Sequence, residues 1–249
     1  MRESGEFVEI GGSDARKIRR VLRLRDGEAI EVIDSAGTAF EAAIVIDGTQ
    51  VRARLGNRRN GVTNAGETGV RFDVAQALPK GQKMDFIVEK LTELGVENVL
   101  PFVSERTVAG VPAAPKIERW RRIATTAARQ CGRNSIPRIR PPLAAFDALL
   151  DSFKDYDAVA FAWELAPQIP LRDRLPRLLK EATRALLVVG PEGGFTHEEA
   201  EGARSRGAAL VWMGPRILRA ETAGVVLLAV ADALAQGRNR GRARRTGVS

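Results

Sequence analysis

The chain has 249 residues, 44% hydrophobic and 28% charged, a balance that suits a folded chain long enough for two modest domains. Its most apolar run, 223–231, falls short of the ~18 residues of a membrane span, the opening MRESGEFVEI lacks the apolar core of a secretory signal, and a single cysteine, Cys131, excludes an internal disulfide framework. A cytoplasmic protein without membrane association is expected, and its 39 Lys plus Arg against 31 Asp plus Glu, a net +8, favour a polyanionic partner such as nucleic acid.

In chain order, residues 14–24 carry Ile18, Val21 and Leu22 at helical spacing, with Arg16, Lys17, Arg19, Arg20 and Arg23 around the remaining circumference. That pattern predicts a short basic helix. Strands are expected over 29–33, 39–46 and 51–55, with turns at Ser35-Ala36-Gly37 and Asp47-Gly48. Residues 56–69, GNRRNGVTNAGETG, are poor in apolar side chains and read as a linker. The expected organisation is a small β-rich domain with a basic helix over 1–68, a larger domain over 69–237, and a basic tail over 238–249 outside regular structure.

Beyond the linker, strands and helices alternate. Nearly continuous apolar runs over 71–77, 99–103, 158–163, 185–189 and 208–213 suit parallel strands covered on both faces. A helix is expected over 83–94, where Met84, Ile87, Val88, Leu91 and Leu94 recur at helical spacing and Gly95 closes the end. A second is expected over 116–131, with Ile117, Trp120, Ile123, Ala124, Ala127 and Cys131 as its apolar stripe. The fold class is α/β with a mainly parallel sheet. The last helix, 222–234, is apolar almost all round and needs cover from other segments or from a second subunit.

Two strand-end loops carry the chemistry. In the first, a buried strand runs into Gly190-Pro191-Glu192-Gly193-Gly194, and a helix begins near Thr196, with Glu199 at capping-box spacing. The loop lacks the Gly-Lys-Ser/Thr of a phosphate loop and the GxGxxG of a dinucleotide site. It suits a ligand read by backbone groups, such as an adenine edge, or a tight turn without a ligand. In the second, a strand ends at Met213-Gly214-Pro215 and passes Arg216-Ile217-Leu218-Arg219 into the apolar helix at Glu221, Thr222 and Ala223. Two Arg and one Glu beside so apolar a helix imply either a capping ion pair or a ligand site. One His and one Cys cannot build a Cys/His zinc centre, so chemistry without metal is expected and His197 is read as a surface residue.

VGPEGGF (189–195) and MGPRILRAETA (213–223) resemble the cofactor loops of the SPOUT superfamily of knotted methyltransferases, and within it the small-subunit (16S) ribosomal RNA uridine-N3 methyltransferases. KGQKMDFIVEKLTELGV (80–96), PFVSERTV (101–108) and RWRRIATTAARQCGRNSIP (119–137) add to the likeness, which covers most of 70–236. The first 55 residues are similar to the family's PUA-like β-barrel, although Ala15-Arg16-Lys17 stands where members usually carry His near the basic helix. The resemblance implies a trefoil knot with the last helix threaded beneath a cofactor loop, a homodimer, and ribosomal RNA of the small subunit as substrate. It also implies S-adenosyl-L-methionine as cofactor, held by Gly190, Pro191, Glu192, Gly193, Gly194, Met213, Gly214, Ile217, Leu218, Arg219, Thr222 and Ala223.

For a uridine N3 acceptor, a cation beside a uracil carbonyl would stabilise the anion left by the departing proton. Arg219 is the catalytic candidate, with Glu221 as its orienting partner or a base. For RNA binding, Arg122 and Arg129 lie seven residues apart on one predicted helix, with Arg133 just beyond. Together with Lys83, Arg106 and the basic helix residues Arg19, Arg20 and Arg23 they suggest an electrostatic track. Two other readings remain open: a ribose 2′-hydroxyl as acceptor, and an RNA-binding protein without catalysis.

Overall fold

A computed structural model describes residues 5–33, 39–58 and 69–245 and divides the chain near the predicted linker, into Met1–Ala65 and Gly66–Ser249. In the first unit β1 (Phe7–Ile10), β2 (Ala29–Ile33), β3 (Ala39–Asp47) and β4 (Gln50–Arg58) form an antiparallel sheet in the order β1-β4-β3-β2. Period-two patterning sets its faces: Val51, Ala53 and Leu55 of β4 are buried while Arg54 is exposed. Strand β1, not expected from sequence, is short and only half-buried on one face. Strand β4 continues to Arg58, past the expected start of the linker at Gly56.

The basic helix departs from its prediction. Helix α1 (Gly12–Arg16) passes into a π-helical turn over Lys17–Leu22 that ends at Arg23 in the left-handed conformation, φ 50°. The wider turn takes Val21 and Leu22 off the line of Ile18. Ile18 is buried, while Val21 is 71% exposed and Leu22 is exposed beside it.

The second unit follows the sequence closely. In chain order it contains β5 (Arg71–Ala77), α2 (Lys83–Glu93), β6 (Asn98–Phe102), α3 (Ala114–Gln130), β7 (Arg138–Ile139), α4 (Phe146–Asp151), β8 (Ala158–Ala162), α5 (Leu171–Leu178), β9 (Arg184–Val189), α6 (His197–Ser205), β10 (Ala209–Val211) and α7 (Ala220–Arg245). The six strands pair in the order β10-β8-β9-β5-β6-β7, and every pair is parallel. This is an α/β fold with a parallel six-stranded sheet.

Both faces of the sheet are covered, which explains the continuous apolar runs. In β9, Leu187 and Val189 pack with the core residues of α2, α3, α5 and α7, while Leu186 and Val188 pack with those of α4 and α6. Helix α3 has Pro115 in its first turn, where a missing N–H costs nothing. Cys131 falls just past its end and is exposed rather than part of the stripe.

Helix α7 finds cover within the chain on one side. It packs on α2, α5, β5 and β9, burying Ala223, Leu227, Leu228, Ala231 and Ala235. Val225, Val226, Ala229 and Val230 stay half-exposed. The helix also runs on through Arg245, so the backbone over 238–245 is helical where a tail outside regular structure was expected. Arg and Ala, six of the eight residues of this segment, are strong helix formers that outweigh Asn239 and Gly241, and no proline interrupts it. Among the described residues no helix is long and apolar enough to cross a membrane.

At the amino edge of the sheet, Asp73 is fully buried and has three donors. Asn98 Nδ2 donates to Oδ1 at 2.7 Å, while Tyr156 Oη and Arg184 Nη2 each donate to Oδ2 at 2.8 Å. The Arg184 guanidinium also lies over the Tyr156 ring, 4.6 Å from its centroid. Burial, followed by the negative Asp73, pushes the Tyr156 phenol well above its ordinary range. The hydroxyl therefore stays a donor.

Candidate active site

The carboxyl ends of β8, β9 and β10 open into a cleft of about 940 Å³. Parallel sheets place ligands at this edge, where strands give way to loops. Of the residues expected to hold a cofactor, Gly190, Pro191, Glu192, Gly193, Gly194, Met213, Gly214, Ile217, Leu218 and Arg219 all line the cleft. Thr222 and Ala223 do not. They stand in the first turn of α7, where their N–H groups donate to the Arg219 carbonyl at 2.9 Å.

The first loop is tightly tied. The Gly194 N–H donates to the Pro191 carbonyl at 3.0 Å, and Gly194 sits at φ +67°, a conformation that strains any side chain. A Cβ there would also stand 2.6 Å from Glu164 Oε1. The capping box forms as expected: Glu199 N donates to Thr196 Oγ1 at 3.1 Å, and Thr196 N donates to Glu199 Oε2 at 3.0 Å. Glu199 Oε1 accepts the Glu105 N–H at 2.9 Å as well, which joins α6 to the turn after β6. From that turn Arg106 Nη1 donates to the Gly193 carbonyl at 3.0 Å. Arg106, read from sequence as an RNA contact, supports the loop.

The second loop presents its side chains outward. Ile217 is 93% exposed, and Arg216 and Arg219 are exposed without an ion-pair or hydrogen-bond partner for their guanidinium groups among the described residues. The expected Arg219–Glu221 pair does not form. Residues two apart at a helix start project in different directions, and the Glu221 carboxylate turns to Lys83, whose Nζ lies 3.3 Å from Oε2. The same Nζ donates to Glu192 Oε1 at 2.9 Å, and the Lys80 N–H reaches that oxygen at 3.1 Å. The Glu192 hydrogen bond, against some desolvation and with help from Glu221, raises the Lys83 ammonium above its ordinary range. Burial works against the Glu192 carboxylate, but the Lys83 and Lys80 contacts outweigh it and hold the group below the usual range. Lys83 thus lines the cleft instead of joining a solvated track.

The remaining basic residues divide. Arg133 is engaged in structure: Nη1 donates to the carbonyls of Thr92 and Val96 at 2.9 and 3.0 Å, closing the carboxyl end of α2. Arg122 and Arg129 are exposed on α3, where Arg122 borders a groove against α2 with Glu89 and Lys90. In the first unit Arg19 Nη1 donates to the Thr49 carbonyl at 2.9 Å, and Arg20 and Arg23 are exposed.

One wall of the cleft escaped the sequence reading. Trp163, Glu164, Leu165 and Gln168, in the loop after β8, line it beside the two expected loops. The signal was present but weak: a Trp-Glu pair at the end of a predicted strand, with no glycine to mark a close approach. His197 is exposed and sets its ring edge-on to Trp163, 5.0 Å between centroids. Among the described residues no group of His, Cys, Asp and Glu is arranged to hold a metal ion.

A family model of the RNA methyltransferase domain matches residues 67–232, the whole of the sheet and its three loops. Curated relatives share the name ribosomal RNA small subunit methyltransferase E. The Bacillus subtilis protein is 31% identical over 91% of this chain and 90% of its own length. The Synechocystis protein is 32% identical over 87% and 70% respectively. The chain belongs to the ribosomal RNA small subunit methyltransferase E family. A solved family structure from Neisseria gonorrhoeae, bound to S-adenosyl methionine, superposes with a TM-score of 0.80, covers 94% of both chains and is 28% identical. The family likeness extends through both units, since these matches cover nearly the whole chain.

Proposed function

We propose that the protein transfers a methyl group from S-adenosyl-L-methionine to N3 of a uridine in small-subunit ribosomal RNA. The observation that carries this reading is the convergence of three strand-end loops on one cleft in a chain of this family. The Neisseria relative is bound to S-adenosyl methionine, and the relatives are named for ribosomal RNA. The cleft fits such a cofactor on its own features. Its volume is that of a small-molecule site. Gly193 and Gly194 line it with bare backbone, and the loop packs closely on its neighbours, a Cβ on Gly193 standing 3.1 Å from Arg106 Cβ.

Gly190 to Gly194 and Met213 to Arg219 would hold the cofactor, whose sulfonium supplies an electrophilic methyl. Thr222 and Ala223 contribute by fixing the Arg219 backbone. Arg219 has its guanidinium free for the base. Donating to a uracil carbonyl beside N3, it stabilises the anion that forms as the N3 proton passes to solvent water. Glu221, turned to Lys83, holds the start of α7. The base must leave its stack to present N3, and the exposed Arg216 and Ile217 at the mouth suit a nucleotide entering from an RNA strand.

RNA affinity is assigned to Arg19, Arg20 and Arg23 in the first unit and, separately, to the exposed Arg122 and Arg129 of the second, and the first unit is read as a PUA-like barrel. The half-exposed side of α7 is read as the seat of a second copy in a homodimer, and the passage of α7 against the sheet as part of a trefoil knot. The cytoplasm, where ribosomal RNA is made, is the expected location.

Incubating small-subunit RNA from cells lacking the gene with the enzyme and labelled donor, then locating the methyl by mass spectrometry, tests the reading. N3-methyluridine supports it; a ribose methyl or no transfer overturns it. RNA affinity should fall steeply with salt, and a flat response would remove the cationic track.

A further inference from the structure

Lys83 begins α2, yet its ammonium reaches two carboxylates that belong to two different cofactor loops. Glu192 lies 109 residues away in the loop after β9, and Glu221 stands in the first turn of α7. Glu221 keeps only 16% of its side-chain surface exposed, and its Oε2, 3.3 Å from Lys83 Nζ, is shielded from solvent without a hydrogen bond of its own. The Lys80 N–H adds the segment before α2 to the same junction through Glu192. Three segments distant in sequence therefore meet on one charge. Arg219, the cation nearest Glu221 in sequence, is not paired with it.

We propose that Lys83 is a positioning residue of the methyl-transfer site: it latches the loop after β9 to the start of α7, and the latch sets the affinity of the cleft for its cofactor. The inference rests on the assignment of that cleft to S-adenosyl-L-methionine. Without Lys83, Glu192 and Glu221 face each other with no cation between them, and their repulsion spreads the two walls of the cleft. This makes a prediction opposite in sign to simple Coulomb reasoning. The donor is itself a net cation, so deleting a nearby positive charge with no other change would tighten its binding. A latch requires that binding weaken.

Calorimetry of the full-length protein with S-adenosyl-L-methionine separates the two. Lys83→Met should weaken binding roughly tenfold or more, the weight of one charge-assisted hydrogen bond. Lys83→Arg should restore most of the affinity. Adding Glu192→Gln and Glu221→Gln to Lys83→Met should recover part of it, because no facing carboxylates remain; a side chain needed only for packing would show no such rescue. In turnover, KM for the donor should rise more than kcat falls. RNA affinity at fixed salt should stay within about twofold, since the ammonium is not spent on phosphate. Should Lys83→Met lose its cooperative melt, Lys83→Gln, which keeps an N–H donor without the charge, carries the same comparison. Donor affinity that is unchanged or tighter in these variants, or a loss confined to RNA affinity, overturns the latch. A wild-type protein that does not bind the donor overturns the assignment of the cleft itself, and the latch with it.

Discussion

The two edges of the parallel sheet use polar residues in opposite ways. At the amino edge, Asp73 is fully buried and every one of its donors is close and supplied by the chain itself. At the carboxyl edge, the guanidinium groups of Arg216 and Arg219 stand without partners among the described residues, and one apolar side chain is almost wholly exposed. A closed network costs little once made and resists change; open groups leave interaction energy for something that is not part of the chain. One edge is closed on itself and the other faces solvent.

The sharpest way to break this contrast is to damage the closed edge. Asp73→Ala leaves Arg184, Asn98 and Tyr156 without their acceptor and should cost about 3–5 kcal/mol of stability, read by urea unfolding, while the folded fraction keeps its activity per molecule. An Asp73 variant that melts normally but has lost activity would erase the distinction. At the open edge, Arg219→Ala should lower methyl transfer about 100- to 1,000-fold, the scale for removing one donor from a developing anion, with an unchanged melt. Normal turnover in that variant removes Arg219 from the mechanism.

A smaller effect is expected from the cradle. Gly194→Ala forces a side chain into left-handed backbone beside Glu164, about 1–2 kcal/mol of strain, so donor affinity should fall roughly tenfold while kcat at saturation changes little. The smallest effect concerns acid. Glu192 has a depressed folded value, so its contribution is complete above the unfolded value near 4.5 and is lost as pH falls through the lower folded one. The melting advantage of wild type over Glu192→Gln should hold from neutral pH to about 5 and then shrink, and after solvent screening it amounts to about 0.5 kcal/mol at most. An advantage that grows in acid would contradict the Lys83–Glu192 contact.

Much of the second unit was legible because its rules are local. Continuous apolar runs marked five of its six strands, and a glycine-rich turn and a Gly-Pro turn marked two of the three cleft loops. The capping box at Thr196 and Glu199 formed as spaced. Strand β7 spans only Arg138–Ile139, too short for any period to register. The loop after β8 carries no glycine signature, so only its neighbours in space identify it. In the first unit the helical spacing of Ile18, Val21 and Leu22 was real, but a π turn redirected it, and a turn type is decided by hydrogen bonds rather than by the pattern of apolar residues.

By itself, then, the sequence determined the alternation of strands and helices, the parallel sheet, and the two loops whose strings mark the family, because each depends on residues within a few positions of one another. The tertiary structure alone decided where the charges went. Lys83 and Arg133 have the same composition-level meaning as any exposed cation, yet one joins the loop after β9 to the start of α7 and the other closes a helix end. A side chain's charge is written in the sequence, but its partner is chosen by the packing that brings distant backbone within about 3 Å.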